Sequence, residues 1–252
     1  GEIILRDDVE LQEKDEFPSV SCTIRSGDER KCKIKGGVME AKADIAFENV
    51  VYDVRRIYGN GYSVTIGTDV ETTFSFMKRS IFAGVAYDAE EKEITANPVI
   101  SVESGKFVLY GSGSGGTTLK GNVEIRVKGT AEAEVAGAYM NSTVDGKVTV
   151  TVEDQASLSE FLGEQNKGSA KELELILMGS PKLDGRTFRG TVNGTPKGTL
   201  NLRQASLSPE QAEKFKDFAE ILKADSPAAE ENLLTKPAVE VETEAMEKEK
   251  AA

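Results

Sequence analysis

Histidine and tryptophan are absent from the 252 residues, cysteine occurs twice, and the formal net charge is −12. Each shortage excludes something. Without His, the commonest general base, nucleophile activator and zinc ligand are missing. Ser–His and Cys–His catalytic designs are therefore ruled out. A pair of carboxylates would suffice for glycoside hydrolysis. The acids here, however, fall on strand faces that alternate with apolar residues, or at turns, and there is no Trp to stack a sugar. The expectation is a protein that is not an enzyme and carries no cofactor. The negative balance argues against nucleic acid or an anionic membrane surface as partner. No apolar run approaches the roughly 20 residues of a transmembrane segment.

The hydrophobic share of 38% is low and the charged share of 29% slightly high, which suits strands wet on one face. Alternation supports this. In LKGNVEIRVKG, Val123, Ile125 and Val127 alternate with Glu124, Arg126 and Lys128; in VDGKVTVTVE, Val148, Val150 and Val152 alternate with Thr149, Thr151 and Glu153. Between the two runs stands Asp145-Gly146, a hairpin-turn dipeptide. Asn60-Gly61 leads into Tyr62, Val64 and Ile66 in the same way, and Ser26-Gly27 and Ser104-Gly105 mark further turns. NGTPK joins Arg186–Val192 to Gly198–Arg203 as a fourth hairpin, and Leu173, Leu175 and Leu177 share one face of another strand. No repeat of fixed period stands out. The expected fold is mainly β, with antiparallel hairpins forming a sandwich or flattened barrel.

Two helical signals interrupt the strands. Ser157 and Glu160 fit the start of a short turn. Ser208, Pro209 and Gln211 form a stronger start, followed by Phe215, Phe218, Ala219 and Leu222 at three- and four-residue spacing. This predicts one C-terminal amphipathic helix ending near Ala224. The domain reading is an acidic segment over 1–18, an antiparallel β domain over 19–205, a capping helix over 206–227 and an acidic, flexible tail over 228–252.

Cys22 and Cys32 flank a turn signal in CTIRSGDERKC. They fit a disulfide in an oxidising compartment, or two free thiols in a hairpin. The sequons at Asn141 and Asn193 fit an extracytoplasmic setting, secreted or in an organelle lumen; Pro196 handicaps the second, so Asn141 is the glycosylation candidate. The chain opens at Gly1 without a signal-like run, which fits a processed protein and a trimmed one equally. GSGSGG over Gly111–Gly116 matches G-x-G-x-x-G. The strand pattern that follows denies it the helix N-terminus a phosphate cradle needs, so it reads as a flexible or bulged connector. Phe74, Phe76, Phe82, Phe107 and Tyr110 lie in strand contexts and are candidates for the core or for the lining of a cavity.

FPSVSCTIRSGDERKC resembles the amino-terminal cysteine pair of the insect juvenile-hormone-binding and takeout-like secreted proteins. Their central run is similar to ITANPVISVESGKFVLYGSGSGGTTLKGNVEIRVKG, through Pro98, Gly105-Lys106-Phe107, Gly113 and Gly121. The resemblance implies a long curled sheet around an elongated cavity for a lipophilic ligand. The family's long helix has no counterpart after Cys32, and an acidic tail stands where its terminal helix should close the chain.

Two functions are therefore expected. One is a non-catalytic structural or assembly protein whose strand edges and C-terminal tail contact its own or other protein subunits. The other is an extracytoplasmic binding protein for a lipophilic small molecule in a β-lined cavity.

Overall fold

The computed structural model describes residues 1–12, 15–27, 30–73, 79–185 and 187–224. The strands are parallel, and they form a β-solenoid instead of a sandwich or barrel of hairpins. Sheet I runs from Glu2–Leu5 through Cys22–Ser26, Ile45–Glu48, Val64–Ile66, Val99–Val102, Val123–Val127, Thr143–Val152, Ser169–Gly179 and Gly198–Ala205 to Phe218–Leu222. Sheet II runs from Val9–Leu11 through Lys33–Glu40, Val51–Tyr58, Ser80–Phe82, Lys106–Tyr110, Glu132–Tyr139, Ser157–Gln165 and Phe188–Arg189 to Phe215–Lys216. Along these two paths the chain alternates between the sheets, so each coil contributes one strand to each.

The alternating pattern has its physical basis in the coil. Residues at every second position point between the sheets, and each stacks on its equivalent in the next coil. Ile100, Ile125, Val150, Leu175 and Leu200 are successive partners in sheet I, about 25 residues apart. Leu109, Val135, Phe161, Phe188 and Phe215 do the same in sheet II. Nearly all of these side chains are fully buried in one continuous core.

The expected hairpins dissolve into coils for a specific reason. Val123–Val127 and Thr143–Val152 do pair, Val123 opposite Val148, but in parallel. Between them the chain crosses to sheet II and back. Asp145-Gly146 lies inside its strand, where the pairing register shifts. Asn60-Gly61 does turn, with φ of 51° and 82°, but it joins a sheet II strand to a sheet I strand. Ser26-Gly27 and Ser104-Gly105 turn the opposite corner, from sheet I to sheet II. Among the described residues, the one antiparallel pair is Thr191–Val192 with Thr195–Pro196, around Asn193-Gly194.

The two helical expectations fail for different reasons. Ser157–Gln165 is a strand; a register shift opposite Ala133/Glu134 brings Leu158 and Phe161 to the same face, three residues apart. At the C-terminus the capping box of Ser208 and Gln211 is present, but the helix is the single turn Pro209–Ala212. Phe215 then enters sheet II and stacks on Phe188, with ring centroids 5.0 Å apart. Asp217 turns the corner at φ 58°, and Phe218 opens the last strand of sheet I. A corner, not a helical turn, sets the spacing of Phe215 and Phe218. The acidic segment over 1–18 includes the first strand of each sheet, and residues 228–252 lie outside the described ones.

Cys22 and Cys32 are buried and free, so the disulfide is not formed. Cys22 belongs to sheet I, and Cys32 precedes a sheet II strand, with its backbone N–H donating to Ser26 Oγ at 2.7 Å. The turn between them is a corner, so the flanking strands separate instead of pairing.

Candidate interaction surfaces

Stacked coils place equivalent side chains of adjacent coils side by side, and the polar positions exploit this. Lys106 meets Glu132 at 2.6 Å, Lys35 meets Glu10 at 2.7 Å, and Arg189 meets Asp217 at 3.0 Å. Many carboxylates are thereby matched with cations of the neighbouring coil. Beside the sheet I strands, side-chain oxygens hold backbone amides of the next coil. Asn97 Oδ1 accepts from the Asn122 N–H at 2.8 Å, and Asn122 Oδ1 accepts from the Lys147 N–H at 2.9 Å. Such contacts satisfy donors that the strand ladder leaves unpaired.

Among the described residues, the most buried ion pair joins Arg79 to Asp53 of sheet II. Arg79 is 6% exposed; its guanidinium donates to the Tyr52 carbonyl at 3.1 Å and also to Asp53 and Thr73. Burial alone would raise the Asp53 carboxyl. Hydrogen bonds from Lys33, Arg79 and Thr73, with the charge of Arg79, outweigh it and hold the group below the usual carboxylate range.

The candidate aromatics separate into different environments. Phe107 is in the core, edge-to-face with Tyr52 at 5.4 Å. Phe82 and Tyr110 belong to a second cluster apart from that core. Tyr58, Phe82 and Tyr110 occupy paired positions on three adjacent sheet II strands, with centroids 4.5 Å apart at each step, and Tyr139 lies 4.4 Å beyond. Val108, Ala136 and Ala86 complete the cluster. The Tyr58 and Ser114 hydroxyls share a hydrogen bond of 3.0 Å. Burial, with Tyr139, Glu134 and Glu160 nearby, pushes the Tyr110 hydroxyl up to about 12, against the pull of Arg56. These rings are packed, 2–9% exposed for Tyr58, Phe82 and Tyr110. The solenoid takes the place of the lipid-binding barrel expected around them. Phe74 and Phe76 lie outside the described residues.

Gly111–Gly116 is a tightly packed corner. Ser112 and Ser114 are buried, Ser112 Oγ accepts from the Tyr139 N–H at 2.9 Å, and a Cβ on Gly113 would come within 2.3 Å of the Val85 carbonyl oxygen. The amides of Gly115 and Gly116 both donate to the Met140 carbonyl. They are engaged within the fold and do not form an anion cradle. Asn141, the glycosylation candidate, is exposed at the next corner with φ 58°, while Thr143 Oγ1 lies 3.2 Å from Ser169 Oγ.

What the sequence did not reveal is where the exposed apolar residues gather. Val20, Tyr62, Tyr87 and Met140, 41–66% exposed, all lie on connections that run from sheet II to sheet I. Among the described residues, no large exposed apolar side chain lies on the opposite connections. Ile4 and Ile221, 50% and 47% exposed, mark the two ends of sheet I instead. Among the described residues no helix is long and apolar enough to cross a membrane. Comparison with protein-family models, with characterised proteins and with solved structures gives no match to this chain.

Proposed function

We propose that the protein is a non-catalytic structural component that assembles through the open ends of its solenoid. One observation carries this reading. Glu2–Leu5 and Val9–Leu11 at one end, and Phe218–Leu222 and Phe215–Lys216 at the other, each pair on one side only among the described residues. Such edges present unpaired backbone donors and acceptors, which are templates for another strand. The apolar side chains there are incompletely covered. Ile3, Leu5 and Phe218 pack against the core yet remain partly exposed, and Ile221 is largely exposed.

Both ends carry parallel strands, so a second copy stacked head to tail continues both sheets without reversing direction. That arrangement is heterologous and open, and it generates chains instead of a closed ring when its rotation does not close. The tail over 228–252, the other expected contact, lies outside the described residues, so the reading rests on the strand edges.

The test is mass photometry and negative-stain microscopy over a concentration series. The reading expects an open-ended series of species. Ile3→Lys and Ile221→Lys, which turn a charge inward at each edge, should collapse the series while circular dichroism stays unchanged. A size distribution that neither grows with concentration nor responds to these variants overturns it.

A further inference from the structure

The six tyrosines of the chain occupy three kinds of place. Tyr52 is enclosed in the core between Phe47 and Phe107. Tyr62 and Tyr87 are 42% and 62% exposed at corners. Tyr58, Tyr110 and Tyr139 belong to the ring ladder on sheet II, whose first three rungs, Tyr58, Phe82 and Tyr110, sit at paired positions. On the next strand the residue paired with Tyr110 is Ala136. Its methyl group leaves room beside the Tyr110 ring, and Tyr139, three residues further on, fills it. Ser112 Oγ accepts from the Tyr139 N–H at 2.9 Å and fixes the backbone there.

Among the described residues, Tyr110 and Tyr139 are the only two tyrosines in ring contact, with centroids 4.4 Å apart and planes tilted by 40°. Elsewhere in the ladder a phenylalanine intervenes: Phe82 stands between Tyr58 and Tyr110, 4.5 Å from each. The two rings of an ortho-linked biphenol have nearly the same separation of centres. Joining Tyr110 to Tyr139 therefore needs side-chain rotation and no separation of the coils.

We propose that Tyr110 and Tyr139 are a covalent cross-linking site, which forms a dityrosine bond between adjacent coils when the protein meets a one-electron oxidant. The oxidant is external and of the peroxide-driven metal or haem class. Tyr139 is half-buried and is the ring it reaches first; Tyr110, in contact with it, passes its own electron through Tyr139. Each phenol gives up one electron and its hydroxyl proton, leaving a phenoxyl radical with spin on the ortho carbons, Cε. Glu134 and Glu160 are near the Tyr110 hydroxyl to receive its proton. A Cε–Cε bond then forms, and the hydrogen on each bonded Cε moves to the oxygen of its own ring, restoring both phenols. One hydrogen peroxide takes up the two electrons and two protons and leaves as two waters. The bond closes a loop of about 30 residues, which restricts the unfolded chain. It lies within one chain and neither requires nor blocks stacking at the ends.

The test is irradiation of the full chain, at low micromolar concentration, with tris(bipyridyl)ruthenium and persulfate, which removes single electrons from tyrosine. The expected product is a monomer two mass units lighter, with dityrosine fluorescence and a linked peptide pair containing Tyr110 and Tyr139. Rings already in contact couple far faster than rings on separate chains, so Tyr110→Phe and Tyr139→Phe should each lower the intrachain yield about tenfold or more. Both variants keep the ring, and circular dichroism should not change. Tyr62→Phe and Tyr87→Phe should leave the intrachain yield as it was. In urea the preference for the Tyr110–Tyr139 pair should vanish, because the folded contact is its source. An intrachain link mapped to another pair, a yield undiminished in Tyr139→Phe, a preference that survives in urea, or oxidation of Tyr62 and Tyr87 with no intrachain link overturns the proposal.

Discussion

At the scale of single residues, a polar atom at the centre of the core works against it. Tyr52 is fully buried among Phe47 and Phe107, and its hydroxyl has no hydrogen-bond partner. Burial without a partner pushes its ionisation far above the ordinary phenol range. An unsatisfied buried hydroxyl costs about 1–3 kcal/mol. Tyr52→Phe retains both ring contacts and removes that cost, so it should raise stability by about 1 kcal/mol in urea denaturation. A loss of stability would show that the hydroxyl is engaged. Asp53 has the opposite character. Its folded pKa is depressed, so the stability it contributes is present above the ordinary carboxylate value and is lost as pH falls through the folded one. Glu174 acts in the same direction: burial opposes ionisation, but Lys147 and Asn201 outweigh it. The unfolding midpoint should fall between about pH 5 and about pH 3. Asp53→Asn should be less stable at neutral pH and lose less on acidification; an acid limb as steep as the parent's would remove Asp53 as its source.

At the scale of elements, the sequence disclosed the strands and concealed their partners. Alternation in VEIRV and VTVTV is the same whether the strands pair antiparallel across a turn or parallel across a coil. Only the pairing of Val123 with Val148 distinguishes them. The turn dipeptides were genuine at Asn60-Gly61 and Asn193-Gly194, but a turn between two sheets and a turn within one need the same positive φ. The edge carrying Val20, Tyr62, Tyr87 and Met140 was illegible for a related reason: these residues are far apart in sequence and fall on one edge only once the corners stack. Glycine offers a sharper test of the coil. A Cβ on Gly111 would lie 2.4 Å from the Gly137 carbonyl oxygen, and one on Gly137 would lie 2.6 Å from that of Gly163. These glycines sit one above another, and each lets the backbone of the next coil approach. Gly137→Ala pushes against backbone, which cannot rotate away as a side chain can. It should cost about 1–3 kcal/mol, seen as a lower urea midpoint. A neutral effect would mean that the coils separate there without penalty.

At the scale of the whole molecule, the repeat itself is what the sequence hid. The period near 25 residues is maintained chiefly by inward positions, filled interchangeably by Ile, Val, Leu and Phe. Elsewhere the coils differ in length: the step from Ile45 to Val64 is shorter than that from Val64 to Ile100. A period expressed only in burial leaves no recurring motif for the eye. Once present, it makes the molecule nearly one-dimensional, because each coil touches chiefly its two neighbours. Opening free energy should then rise from the ends to the middle. Amides of Val123–Val127, Thr143–Val152 and Ser169–Gly179, held from both sides, should exchange slowest. Those of Glu2–Leu5 and Phe218–Leu222 should exchange fastest in the separated chain. If ends stack, a second copy supplies the missing neighbour and the end amides slow as concentration rises, while the central amides do not change. Hydrogen exchange at two protein concentrations reads both effects in one experiment. End strands that exchange at the same rate at both concentrations would show that no copy pairs with them, and the solenoid's ends would then have to be met by something other than itself.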